Sequence, residues 1–157
     1  MNLSNHLTLK EVIKSNTATR KGIDNTPTTE HEVNLYIIAE HIFEPIRVHF
    51  GVPIGISSGY RGKELNRAVG GSRTSDHCKG MALDIDADIY GKLANVDIFN
   101  YIKDNLEFKQ LIWEFGTGTN PNWVHVSYDP NNNKKQILVA SKKNGRTVYS
   151  NYNEKSI

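Results

Sequence analysis

Only one cysteine, Cys78, stands in the 157 residues, so no internal disulfide is available and the fold rests on its core alone, as suits a reducing compartment during synthesis. No apolar stretch reaches the length of a membrane span. The start, MNLSNHLTLKEVIKSNTATRK, lacks a basic end followed by a long apolar run, so neither a membrane anchor nor a signal peptide is expected. Charge of one sign is missing too: 19 basic against 17 acidic side chains leave a formal +2. That is too weak a field to hold a polyanion, and nucleic acid is not an expected partner. Internal repeats and low-complexity tracts are also absent. A chain of this length is expected to form one domain, residues 1–157, around one core.

Periodicity orders the chain. LTLKEVI reads as a short helix, and KSNTATRKGIDNTPT, rich in Ser, Thr, Asn, Gly and Pro, as a long irregular connection. Thr29 with Glu32 has the capping-box spacing, and Leu35, Ile38, Ala39, Ile42 and Ile46 follow on one helical stripe. Pro45 must kink this helix or restart it, and Gly51 is placed to end it. PIGIS and MALDID read as strands around a short KELNRAVGG helix, VDIFNYIKDNL as another helix, and QLIWEF, WVHVSY, QILVAS and TVYSNY as further strands, with KKNG as a turn. Helices first and strands later give an α+β class, an antiparallel sheet with the N-terminal helices packed on one side.

In MALDID, alternation puts Met81, Leu83 and Ile85 on one face and Ala82, Asp84 and Asp86 on the other. Asp84 then projects away from the core, and His77 arrives from the loop just before the strand. Zinc accepts both ligand types, but a surface histidine and an exposed strand aspartate fit the same spacing. An EF-hand calcium loop is excluded: counting from Asp84, the sixth position is Ile89 where glycine is needed and the twelfth is Asn95 rather than glutamate. Cys78, adjacent to His77, reads as a small packed residue.

LIWEFGTGTNPNWVHVSY supplies a second cluster. Two apolar-rich segments flank a Gly, Thr, Asn and Pro loop, which predicts an antiparallel hairpin. A loop symmetric about Thr119 and Asn120 faces Gly116 with Trp123 and sets Glu114 opposite His125, with β-carbons roughly 4.5–5.5 Å apart. One could then hold a metal while the other handles a proton from water. Each residue alone also has an ordinary reading, His125 as a half-buried strand histidine and Glu114 as an exposed strand glutamate. Trp113 reads as a core aromatic, and Trp123, on the face of His125, as lining for a groove.

The pattern Ser75-x-His77-x-x-Gly80-x-Ala82-x-Asp84, preceded by SSGYRGKELNRAVGG and followed by WVHVSY, resembles the D-Ala-D-Ala carboxypeptidase and L-alanyl-D-glutamate endopeptidase family of zinc peptidases. It is most similar to the phage-type branch. The resemblance runs from about the first helix to Tyr128, and the tail beyond carries none of the motif. It implies the fold shared by hedgehog domains and D-Ala-D-Ala peptidases, zinc as cofactor, and His77, Asp84 and His125 as its ligands. Arg61 would bind substrate near the scissile bond, Ser75 would support the site by hydrogen bonding, and Tyr60 and Trp123 would face the substrate. Several members of that family place their catalytic carboxylate three residues before the last ligand, a position held here by Asn122. Asparagine cannot take up a proton at neutral pH, so the hairpin count assigns the role of base to Glu114.

The expected substrate is a peptidoglycan stem peptide, cut at a bond the signature does not specify. The resemblance also implies a phage lysin that acts as a monomer. It would be made in the host cytoplasm and reach the wall after release by a holin, or be carried by the virion. The rival class is a zinc-stabilised module that grips cell-wall peptide without cutting it, since the related hedgehog domain shows that fold and site do not guarantee hydrolysis. Glu114 separates the two, because a binding module needs no base. NNNKKQILVASKKNGR is locally basic, as a solvated hairpin face often is.

Overall fold

The computed structural model describes residues 1–153. Two short strands, β1 (Asn2–Ser4) and β2 (Leu7–Thr8), pair antiparallel at the start. Thr8 then caps α1 (Leu9–Ile13): its side chain accepts from the Glu11 N–H, and the Glu11 carboxylate accepts from the Thr8 N–H at 2.8 Å. The stretch expected to be irregular contains a helix, α2 (Asn16–Lys21), capped by the Ser15 hydroxyl and closed by Gly22. Only Ala18 is buried there, so no apolar stripe announced it. α3 (Thr29–Ile38) is capped by Thr28 rather than Thr29, with the Thr28 hydroxyl accepting from the His31 N–H at 3.1 Å. It continues through a π-helical turn (Ala39–Phe43) into α4 (Glu44–Phe50), whose first turn contains Pro45. The wider turn shifts the pairing by one residue, with the Glu44 N–H donating to the Ala39 carbonyl, and so takes up Pro45, which has no N–H, without breaking the helix. All five residues of the expected stripe are buried, and Gly51 closes α4.

The remaining elements are β3 (Gly55–Ser58), α5 (Lys63–Ala68), a tight 3-10 turn (Asp76–Lys79), β4 (Ala82–Asp86), a second such turn (Ala87–Ile89), α6 (Asn95–Asn105), β5 (Gln110–Glu114), β6 (Trp123–Ser127), β7 (Gln136–Lys143) and β8 (Arg146–Asn151). The main sheet runs β3-β4-β6-β5-β7-β8. Its class is the α+β one read from the sequence, and its pairs are antiparallel except for β5 with β7, which is parallel. The exception has a simple origin. β6 ends beside the start of β5, and residues 128–135 pass that end, where the Lys135 and Gln136 N–H groups donate to Phe108 and Lys109 carbonyls at 3.0 and 3.1 Å. β7 therefore begins level with β5 and runs the same way.

One face of the sheet carries Leu83, Ile85, Leu111, Trp113, Val124 and Val126 into a core shared with Leu35, Ile42, Ile46, Ile98 and Phe99 from the helices. Residues of the opposite parity point to the other face. Among the described residues no helix is long and apolar enough to cross a membrane.

Candidate active site

Asp84 sits between Leu83 and Ile85, both fully buried, so the pleat that drives those two inward turns its carboxylate onto the open face. β4 and β6 pair with Asp84 directly opposite His125, and the His125 Nδ1 lies 3.0 Å from Asp84 Oδ1. His77 enters from the 3-10 turn, where the Ser75 hydroxyl accepts from its N–H at 3.2 Å. Its ring Nδ1 donates to the Gly59 carbonyl at 2.6 Å, which leaves Nε2 facing Asp84 Oδ1 at 3.3 Å. A backbone carbonyl in that position fixes both tautomer and ring direction.

One donor atom from each of His77, Asp84 and His125 lies within 4.8 Å of the other two. Donors on a tetrahedral zinc at about 2.0–2.2 Å stand roughly 3.3–3.5 Å apart. Of the two separations to Asp84 Oδ1, 3.3 Å falls in that range and 3.0 Å is a little short of it, so the set fits zinc with small movements of the two imidazoles. Burial acts to raise the Asp84 pKa, but the adjacent His77 and the hydrogen bond from His125 outweigh it and hold the carboxyl well below the usual range. Burial acts to lower the His125 pKa, and its bond to Asp84 and the nearby acids outweigh that and raise it. Cys78 is half-buried and stands outside this set.

Glu114 ends β5 on the same face, with 7% of its surface exposed. The hairpin register differs from the expected one: Glu114 faces Trp123, and Ile112 faces His125. The reason lies in the loop. Phe115 and Gly116 adopt φ of 56° and 76° and stop the strand at Glu114, and Gly116 has no alternative, since a β-carbon there would come within 2.3 Å of the Asn120 carbonyl oxygen. The pairing shifts by two residues, an even number, so Glu114 keeps its face and becomes the diagonal neighbour of His125. Burial pushes its carboxyl up to about 7, against His125 and with help from Asp84. A carboxyl in that range can both accept and release a proton near neutral pH. Asn122 is exposed in the loop, and its backbone N–H donates to the Glu114 carbonyl at 2.9 Å.

A cleft of about 700 Å³ opens over these groups, with Arg61, Ser75 and Trp123 on its walls. Arg61 is held by two bonds, from Nη1 to the Ser58 hydroxyl at 2.9 Å and from Nε to the Asn66 side-chain oxygen at 3.3 Å. The expectation that Tyr60 faces substrate is corrected: it is 4% exposed, belongs to the core, and bonds through its hydroxyl to His31 Nδ1 at 2.9 Å. Trp113 is a core residue, edge-on to Phe99.

Several contributors had no sequence signal. Asn66, 4% exposed, orients Arg61 from inside a short helix. Lys109 binds both oxygens of Asp76 at 3.0 Å, tying the turn that carries His77 to the start of β5. Leu138, Thr147 and Tyr149 of the C-terminal hairpin reach the same cleft. Asp86 has structural partners instead, accepting from the Asp88 N–H and the Asn95 side chain at 3.0 and 3.1 Å.

A family model described as Peptidase M15 matches residues 5–127, ending on the last residue of β6. No curated protein matches the chain.

Proposed function

The chain belongs to the peptidase M15 family, and from that premise we propose that it is a zinc-dependent peptidase hydrolysing peptide bonds in bacterial peptidoglycan stems. His77, Asp84 and His125 are the proposed zinc ligands. The observation that carries the reading is the meeting of these three donors beside Glu114 in an open cleft. When bound, a zinc ion supplies Lewis acidity, which polarises a peptide carbonyl and eases deprotonation of water near neutral pH.

The protein's own groups do the rest. Glu114 takes the proton as water oxygen adds to the carbonyl carbon, and returns it to the amine nitrogen as the carbon–nitrogen bond breaks. The low polarity that raises its pKa also strengthens it as a proton acceptor once ionised. Arg61, pinned by Ser58 and Asn66, presents a fixed guanidinium to a substrate carboxylate or to the oxygen that gains charge. Ser75 and the Gly59 carbonyl hold His77 from its backbone and its ring. Trp123 lines the groove on the Glu114 side.

Likeness of the signature to the phage-type branch supports placing the protein among phage or prophage lysins, acting on the wall after release. The rival reading, a zinc-stabilised binder, leaves a buried carboxyl poised near neutrality without a task, and Glu114 favours the enzyme.

Clearing of purified cell-wall suspensions tests the proposal. Zinc-loaded protein should lower turbidity, a chelator should stop it, added zinc should restore it, and mass spectrometry of the released fragments should identify the bond. Binding to walls without any released peptide fragment would overturn the enzymatic reading.

A further inference from the structure

The cleft has a wall that the family match does not reach. β7 and β8 follow residue 127, where the match ends, yet they extend the sheet that carries the metal-binding strands. Register fixes what they add. Trp123 faces Glu114, Glu114 faces Ala140, and Ala140 faces Tyr149. Residues directly opposed across strands share a face, so these four form one row on the site side of the sheet. With strands about 4.8 Å apart, Tyr149 stands roughly 10 Å from Glu114 along that row.

Between the two lies Ala140, 1% exposed, a covered position that spaces the tyrosine ring from Glu114 while Leu138 and Tyr149 reach the cleft. Leu138 and Thr147, two residues along each strand, complete the hairpin's share of the lining. Those three hairpin residues bring apolar surface and hydroxyls but no charge. Tyr149 is 54% exposed, and no core requirement explains an aromatic ring there. Burial, with the Glu114 and Asp84 carboxylates, pushes its hydroxyl pKa up, so the ring is electrostatically in touch with the site.

We propose that the β7–β8 hairpin is a substrate-binding wall, and that Tyr149 contacts the substrate and selects an aliphatic side chain next to the scissile bond. The inference rests on the peptidase reading above. Leu138 and the Tyr149 ring take the side chain on the hairpin side of the cleft, and the scissile carbonyl is thereby held beside Glu114.

Steady-state kinetics on a purified disaccharide-pentapeptide muropeptide, which contains both the L-alanyl-D-glutamate and the D-Ala-D-Ala bond, test this with zinc content measured on each preparation. Tyr149→Ala should retain zinc and lose at least about tenfold in kcat/KM, mostly through KM, while Tyr149→Phe stays within about twofold because the ring makes the contact. Val148→Ala, on the opposite face of the same strand, should match wild type. A Tyr149→Ala enzyme with unchanged kcat/KM on a substrate that wild type cleaves would overturn the subsite, as would an equal loss in Tyr149→Phe. Wild-type protein that is fully loaded with zinc yet cleaves no peptide bond of this substrate would instead overturn the peptidase reading itself, so the two failures are distinct.

Discussion

Asp84 and His125 stand directly opposite each other on antiparallel β4 and β6, with Nδ1 and Oδ1 3.0 Å apart. The pairing of two central strands thus sets the separation of two candidate metal donors, and a loop need only deliver the third, His77. Because both side chains lie on the face away from the helices, the site can be altered without emptying the core.

His125→Ala should therefore fold and lose metal. Its removal leaves two protein ligands, and stoichiometric zinc should fall to a small fraction of wild type in elemental analysis after dialysis. The thermal midpoint of the metal-free variant should stay within a few degrees of metal-free wild type. Zinc retained at one equivalent would remove His125 from the ligand set.

Glu114→Gln should separate stability from activity. Turnover should fall by about 10²–10⁴ while zinc remains bound, since Gln cannot take a proton. In the metal-free protein the effect on stability has the opposite sense. The folded carboxyl titrates near 7 against an ordinary 4.5, so between those values the unfolded chain ionises while the folded one keeps its proton, and stability falls as pH climbs through that window. Above it wild type carries the full cost and the amide variant does not. Calorimetry of the two metal-free proteins at pH 8 should show Glu114→Gln melting roughly 2–6 °C higher, a gain that shrinks towards pH 4.5.

Gly59→Ala should damage the metal site through the backbone. A β-carbon there would come within 2.5 Å of the Val12 carbonyl oxygen, the same oxygen that accepts from the Tyr60 N–H at 2.7 Å. The segment must then move, and with it the carbonyl that orients His77. Expected consequences are about 1–3 kcal/mol of lost stability in urea titration and about 10–100-fold weaker zinc binding in competition with a chromophoric chelator. Unchanged zinc affinity would show that the Gly59 carbonyl does not hold the ring.

Lys109→Met should leave Asp76 with little solvent and no cation, as the two side chains are 22% and 12% exposed. The expected loss is about 1–2 kcal/mol by denaturant titration. Adding Asp76→Asn should recover part of it, because the second change removes the stranded charge. Additive losses in the double variant would mean that the pair contributes nothing as a pair.

Much of this arrangement was legible in the sequence because it follows short periods. Alternation in MALDID placed Asp84 opposite the core side, and the Leu35 to Ile46 stripe marked the helix that covers the sheet. The face of Glu114 came out right although its register did not. Parity survives an even shift, whereas the exact pairing depended on Phe115 taking a left-handed φ, which a phenylalanine seldom does. Helix α2 buries one small residue and so leaves no apolar stripe to read, and Tyr60, which the resemblance implies at the substrate, is turned inward by the chain at that point. The row ending at Tyr149 could not be read at all. It depends on β7 joining β5 in parallel, a long-range choice that no local pattern encodes.

That topology divides labour within one sheet. Among the described residues β8 pairs with β7 alone, so its hydrogen-bond ladder can be lengthened, trimmed or recomposed while the Asp84–His125 pairing stays as it is. On the proposed reading, chemistry would sit at the middle of the sheet and discrimination at its rim, so that new preferences could arise by exchange of a terminal ribbon without rebuilding the Asp84–His125 pairing.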